Sequence, residues 1–239
     1  MNLSIVIPVF EEQKKIARDI PAAAEFLTGN RLAGEIIVVD DGSRDATAAV
    51  AGSVEMTPEV KLKVIRYEQN KGKGCAVRTG ALASQSDYVM LADSGLCVPY
   101  QNALRGLSLI QSGVCEIAHG SRRLNASTIV KPQAWQRRLS ARLFRGLAIY
   151  WMKIPRYLTD TQCGFKIYRG DVARELYGEC RTDGFIFDIE IILRALRKGY
   201  RIQEFPIEWT CDRDSRLSLA RSPLRTFSEI RMIKHVLKN

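Results

Sequence analysis

Four polar clusters each close a short apolar run in the first 122 residues. They are Pro8-Val9-Phe10-Glu11-Glu12, then Asp40-Asp41-Gly42-Ser43 followed by Asp45 and Thr47, then Asp93-Ser94-Gly95, and finally Gly120-Ser121-Arg122. Carboxylates accept hydrogen bonds from hydroxyls and act as hard oxygen ligands for Mg²⁺ or Mn²⁺. An arginine presents a planar fork that matches phosphate oxygens. Each cluster alone is ordinary turn chemistry, since Asp, Gly and Ser are common turn residues. Four at successive strand ends favour one shared site, because ligands of an open parallel sheet collect outside the carboxyl ends of its strands.

The elements that must position these residues alternate. Strand-like runs occupy 3–10, 35–41, 62–68, 87–93 and 116–122, with amphipathic stretches near 12–28, 45–54, 73–85 and 100–112 between them. This rhythm predicts a mostly parallel sheet flanked by helices, with strands buried on both faces. The second half is less regular. Residues 132–153 read as a long basic amphipathic helix, 163–169 as a strand, 188–198 as a helix ended by Gly199, and 201–209 as a strand. Ser222-Pro223 supplies an N-cap and first-turn pair for a last helix. No repeat or convincing linker interrupts the chain, so a single domain over 1–239 is expected.

Composition narrows the function classes. The whole net charge of +10 lies in residues 131–239, with 22 Lys/Arg against 12 Asp/Glu, while residues 1–130 balance at 14 and 14. Such asymmetry suggests an anionic partner for the second half, nucleic acid or a membrane surface, beside the plain reading of a basic soluble surface. Aromatics and basic residues interleave on the 132–153 stretch, which suits anionic lipid and core packing about equally. No run of 18 apolar residues exists, the amino terminus lacks a basic leader, and the six scattered cysteines form no CxxC pair. A cytoplasmic protein with reduced thiols is the expectation. The place of a GxGxxG fingerprint after the first strand holds PVFEEQ, and no P-loop occurs, which argues against a dinucleotide-binding dehydrogenase.

The motifs IVIPVFEE, IIVVDDGSRDAT, NKGKGCAVRTG, ADSGLCVP, GSR, DTQCGFKIYRGDVA, DGFIFDIEI and GYRIQEFPIEW follow one another across nearly the whole chain. In that order they resemble the family 2 inverting glycosyltransferases, and among them the polyprenyl- or dolichyl-phosphate sugar synthases. The resemblance implies a Rossmann-like GT-A fold, with a nucleotide-binding half over 1–122 and an acceptor-binding half over 123–239. It implies a UDP- or GDP-hexose donor held by Pro8, Phe10, Glu12, Asp40 and Asp41, with Lys73, Asp93, Ser94 and Arg122 nearer the phosphates. One of Asp40 and Asp41 can instead cap the following turn. Arg122 would meet the leaving phosphate. Asp160 would act as general base or orient the acceptor. Gln162, Arg213, Ser215 and Arg216 would face the acceptor.

Two positions depart from the family pattern. Glu11 stands where asparagine is usual. Gly95 stands where the Asp-x-Asp element has its second carboxylate, so Asp93 alone remains to hold Mg²⁺ or Mn²⁺, and metal dependence is in doubt. The activity implied is inverting transfer of a hexose to a polyprenyl phosphate at the cytoplasmic membrane surface, by a peripheral protein that binds no nucleic acid. Two alternatives stand beside it: a transferase acting on a soluble or polysaccharide acceptor, and a nucleotide-sugar-binding protein without turnover.

Overall fold

The computed structural model describes residues 2–131, 146, 149–211 and 223–236, the side chains of 223–227 and 236 excepted. The first half alternates as the apolar runs require: β1 (Asn2–Val9), α1 (Gln13–Gly29), β2 (Ala33–Asp40), α2 (Thr47–Gly52), β3 (Val60–Arg66), α3 (Lys73–Ala83) and β4 (Tyr88–Leu91). A short 3₁₀ turn over Tyr100–Asn102 leads into α4 (Ala103–Gln111), and β5 (Ile117–Ser121) follows. After it come β6 (Thr128–Lys131), β7 (Lys166–Arg169), α5 (Gly170–Glu179), α6 (Phe187–Arg197), β8 (Ile202–Pro206), β9 (Glu208–Thr210) and α7 (Pro223–Val236).

Seven strands form one sheet in the order β3-β2-β1-β4-β7-β5-β8. All neighbours are parallel except β7, which runs antiparallel to both β4 and β5. β6 and β9 pair in a separate two-stranded sheet. Side-chain alternation divides the core. Leu3, Ile5 and Ile7 face Ile16, Ile20 and Phe26 of α1 and Leu107 of α4. Val6, Ile37 and Val39 face Ala76 and Val77 of α3, with α5 and α6 continuing that layer. Helices on both faces explain why β1 is apolar almost throughout.

The five expected strands of the first half all form. Two details of the second half differ from expectation. The run 163–169 becomes a strand only at Lys166, because 160–165 serve the site. The run 201–209 divides between Pro206 and Glu208 into strands of two different sheets. The helix expected over 188–198 spans Phe187–Arg197, and Gly199 follows at φ +77°, the left-handed conformation that ends helices. Most of the helix expected over 132–153 lies outside the described residues. Among the described residues no helix is long and apolar enough to cross a membrane. The six cysteines form no disulfide.

Candidate active site

The carboxyl ends of β1, β2, β4 and β5 carry the four polar clusters, as an open α/β sheet requires. Two kinds of carboxylate chemistry occur there. At the end of β2 the carboxylates take N–H groups. Asp40, fully buried, accepts the Ser43 N–H at 2.9 Å, and Arg66 lies 3.7 Å from its other oxygen. It is therefore the turn-capping member of the pair. Asp41, 4% exposed, accepts the Lys71 N–H at 2.7 Å, the Gly72 N–H at 2.9 Å and the Asn70 side-chain amide at 2.9 Å. It fastens the loop that leads to Lys73. The β1 end is tied to the same cradle. Glu11 donates its N–H to the Ser43 hydroxyl at 2.7 Å, and Glu12 to the Thr47 hydroxyl at 2.9 Å. Glu11 has φ +54°, a conformation that asparagine adopts more readily than glutamate. Glu12 pairs with Lys15 at 2.8 Å. Pro8 precedes Val9, the last residue of β1, and both Pro8 and Phe10 are half-buried.

At the ends of β4 and β5 the carboxylates take cations instead. Lys73 Nζ lies 2.6 Å from Asp93 Oδ1. Arg122 grips Asp160 as a fork, Nε to Oδ2 at 2.7 Å and Nη2 to Oδ1 at 2.6 Å, and adds its backbone N–H to Oδ2 at 2.9 Å. Its guanidinium also lies 5.3 Å from the ring centroid of Trp209 on β9. Lys166, almost wholly buried, donates to Asp188 Oδ1 and to the Cys163 carbonyl, both at 2.6 Å.

These pairs share one field. Burial works to raise the Asp93 pKa, but Lys73, then Lys166 and Arg122, outweigh it and hold the carboxyl below its ordinary range. Burial is likewise overcome at Asp160 by Arg122, which keeps that carboxyl low. At Lys73 burial opposes the charge, but Asp93 and Asp188 raise the pKa above the usual lysine value. Asp188 goes the other way: burial raises it despite Lys166 and Lys73. A carboxylate held low by a forked arginine is a poor proton acceptor, so the geometry of Asp160 suits orientation of Arg122 better than general-base work.

The loop containing Gly164 closes on Asp93. A Cβ at Gly164 would stand 2.1 Å from one Asp93 oxygen and 2.4 Å from the other, so any side chain there would push the Asp93 carboxylate aside. The Asp93–Gly95 loop is fixed from behind by α1. Asp19 accepts the Gly95 N–H at 2.7 Å, and Arg18 donates to the Gly95 carbonyl at 3.2 Å. Burial raises the Asp19 pKa to about 6, against the Gly95 amide, Arg18 and Ser94, which lower it. Gln162 is half-buried. Arg213, Ser215 and Arg216 lie outside the described residues.

Asp188, which the sequence reads as lining the cleft or merely starting its helix, is the partner of Lys166. Three residues of this arrangement are additions to the sequence reading. Lys166 and Asp19 are distant pairings, and Glu204 holds the segment around Asp160. Its carboxylate accepts the Asp160 N–H at 2.7 Å and the Thr159 hydroxyl at 2.6 Å. A buried carboxylate on β8 aimed at a loop is the only local signal, and it appears only once β8 is placed.

The profile of glycosyl transferase family 2 matches residues 4–176. The chain belongs to that family. It is a glycosyltransferase with the GT-A fold. It is 28% identical over 243 residues to a dolichyl-phosphate beta-glucosyltransferase of Dictyostelium discoideum, covering 97% of this chain and 73% of the relative. The human dolichyl-phosphate beta-glucosyltransferase is 28% identical over 220 residues, covering 87% and 67%. Among solved structures, mannosyl-3-phosphoglycerate synthase from Rubrobacter xylanophilus superposes with a TM-score of 0.69 at 17% identity, covering 98% of this chain and 73% of that one. Glucosyl-3-phosphoglycerate synthase from Mycobacterium tuberculosis, in complex with Mn²⁺, UDP-glucose and phosphoglyceric acid, gives 0.64 at 15% identity, covering 99% and 78%. In this family 2 chain, Gly95 supplies no side chain and the Asp93 oxygen Oδ1 holds a lysine, so the residues present do not fit a two-carboxylate metal site.

Proposed function

We propose that this glycosyltransferase moves a hexose from a UDP- or GDP-hexose to a polyprenyl phosphate, with inversion, as a peripheral protein at the cytoplasmic membrane surface. The observation that carries the reading is the cluster of Lys73, Arg122 and Lys166 at the carboxyl ends of the central strands, which supplies cations where a diphosphate leaving group needs them. The dolichyl-phosphate beta-glucosyltransferase relatives support the acceptor and favour glucose as the sugar.

In this reading an acceptor phosphate oxygen forms a bond to the anomeric carbon as the bond from that carbon to the donor's β-phosphate oxygen breaks. The electron pair leaves with the nucleoside diphosphate. Phosphate monoesters have a second pKa near ~6, so the nucleophile is anionic at neutral pH without a base. Positioning and stabilisation of the departing charge become the larger tasks. Arg122 faces outward with 24% of its side chain exposed, whereas Asp160 behind it is 4% exposed. That arrangement holds a guanidinium ready for phosphate while its counter-ion stays covered.

The test is transfer from radiolabelled UDP-glucose, and separately GDP-mannose, to a polyprenyl phosphate in detergent. Label is expected in the organic phase. Label only in water-soluble product would replace the acceptor assignment, and nucleotide binding without turnover would replace the enzymatic one. Flotation with anionic vesicles checks the membrane contact. Binding that weakens with salt is expected from the basic second half, and equal absence of binding to neutral and anionic vesicles at low salt refutes it.

A further inference from the structure

We infer that Lys73 occupies the place of a divalent ion in this chain, and that the donor diphosphate is bound by fixed side-chain cations without metal. The inference rests on the donor site proposed above.

The first argument is the ligand set. Hard divalent cations need oxygen ligands, and the three carboxylates that share the field of Lys73, Arg122 and Lys166 each already serve a cation, while Asp19 behind the loop is buried and takes the Gly95 N–H. Asp93 holds Lys73, Asp160 holds Arg122, and Asp188 holds Lys166. Among the described residues no group of three or more His, Cys, Asp or Glu is placed to hold a metal ion. Position 95 offers only backbone, and that backbone is committed. Its N–H goes to Asp19 and its carbonyl to Arg18, at φ +97°, a conformation that resists any side chain.

The second argument is charge. An ion bound to Asp93 would have to displace the Lys73 ammonium and remain near Lys166 and Arg122, which already act electrostatically on the same carboxylate. Like charges so close disfavour the exchange. Lys73 needs no such exchange to meet a phosphate. An ammonium has three donors, its side chain is 19% exposed, and one bond to Asp93 leaves the others able to reach phosphate oxygens. The amide ends of α3 do not compete for that role. The Gly74 N–H donates to the Asp183 carbonyl at 2.8 Å and the Cys75 N–H at 3.3 Å, so two amides of the first turn are taken and the lysine side chain is the main cationic group the helix start offers. The anchoring of 70–72 by Asp41 fixes where that side chain begins.

Titration calorimetry with UDP and with GDP, on the whole chain in EDTA and again in MnCl₂, tests this. The preferred nucleotide is expected to bind in EDTA, with an affinity that changes less than about threefold on adding Mn²⁺; a tenfold change corresponds to about 1.4 kcal/mol. Lys73→Gln should weaken binding in EDTA about 10- to 100-fold, the range for losing a charged hydrogen-bond donor, and Lys73→Arg should restore most of it. Electron paramagnetic resonance of Mn²⁺ gives a readout independent of the variants. The free-ion signal with protein and nucleotide should match that with nucleotide alone. Binding at least tenfold tighter in Mn²⁺, loss of free Mn²⁺ beyond the nucleotide control, or full affinity of a folded Lys73→Gln would overturn the inference and leave the proposed activity standing. Binding of neither nucleotide under either condition would overturn both.

Discussion

The end of β2 and the ends of β4 and β5 use the same residue type in opposite ways. Asp40 and Asp41 spend their charge on amide N–H groups and hold two loops in place. Asp93, Asp160 and Asp188 spend theirs on Lys73, Arg122 and Lys166. Amides fixed in a loop cannot leave without unfolding it, so the first region is a rigid frame. A side-chain cation can pivot to a new anion, so Lys73 and Arg122, with 19% and 24% of their side chains exposed, can exchange partners, while Lys166 stays buried as the structural member of the set. Position along the sheet, rather than residue type, separates scaffold from reactive site.

The sharpest way to break the comparison is to unpair the most buried cation. Lys166→Met leaves Asp188 buried without its partner, and should cost about 3–5 kcal/mol in urea unfolding at neutral pH. Lys166→Met with Asp188→Leu should recover much of the loss. Were the single variant as stable as wild type, this pair would not be the structural member of the cationic region. Next in size, Arg122→Ala should lower turnover about 10²–10³-fold while the protein stays folded, the range for losing one donor to a developing charge. Near-normal activity would place Arg122 with the scaffold residues.

Asp19 sharpens the frame side. It has one amide from the site loop and is buried, and burial raises its pKa from 3.8 to about 6. A raised carboxyl stabilises the fold below its unfolded pKa, and that stability is lost as pH rises through the folded value. Wild type should therefore lose about 2–2.5 kcal/mol between pH 4 and 7 relative to Asp19→Asn, most of the ~3 kcal/mol that a shift from 3.8 to about 6 carries at 1.36 kcal/mol per pKa step. Parallel pH–stability curves for the two proteins would show that Asp19 is not desolvated. The smallest effect concerns Asp41→Ala, which strands the amides of 71 and 72 and should cost about 1–3 kcal/mol. Its unfolding should depend little on salt, because the lost bonds join a carboxylate to fixed dipoles rather than to a mobile cation. A salt dependence as large as that of a Lys73 variant would erase the distinction.

The frame was largely legible in the sequence and the pairing was not. Strands expected at 3–10 and 35–41 appear at 2–9 and 33–40, because runs buried on both faces announce themselves by composition, and the one expected at 62–68 appears at 60–66 as an edge strand in which exposed Lys61 and Lys63 alternate with Leu62 and Val64. β6 could not be read: all four of its residues are exposed, so no alternation marks it. The clusters at Asp40, Asp93 and Arg122 were visible as polar ends of apolar runs. What they hold was hidden, since Arg122 meets Asp160 and Asp19 meets Gly95 only after the sheet is assembled. Lys166 lies in a run that reads only as a strand, and its burial is explained by the Asp188 carboxylate and the Cys163 carbonyl that it meets once the fold is assembled.

The place of β7 has a consequence for how the molecule comes to exist. Tyr88 pairs with Arg169 and Ile117 with Tyr168, so the strand between β4 and β5 is supplied from far along the chain. Until it arrives, β1 to β4 present an open apolar edge that invites pairing with another chain. Synthesis from the amino terminus exposes that edge for as long as it takes to add some 75 further residues, several seconds at ribosomal speeds of about 5–20 residues per second. Insertion of a central strand across so long a separation is also intrinsically slow. Yield on expression should therefore respond to translation rate and to chaperones more than to native stability, and a chain stopped before Lys166 should aggregate.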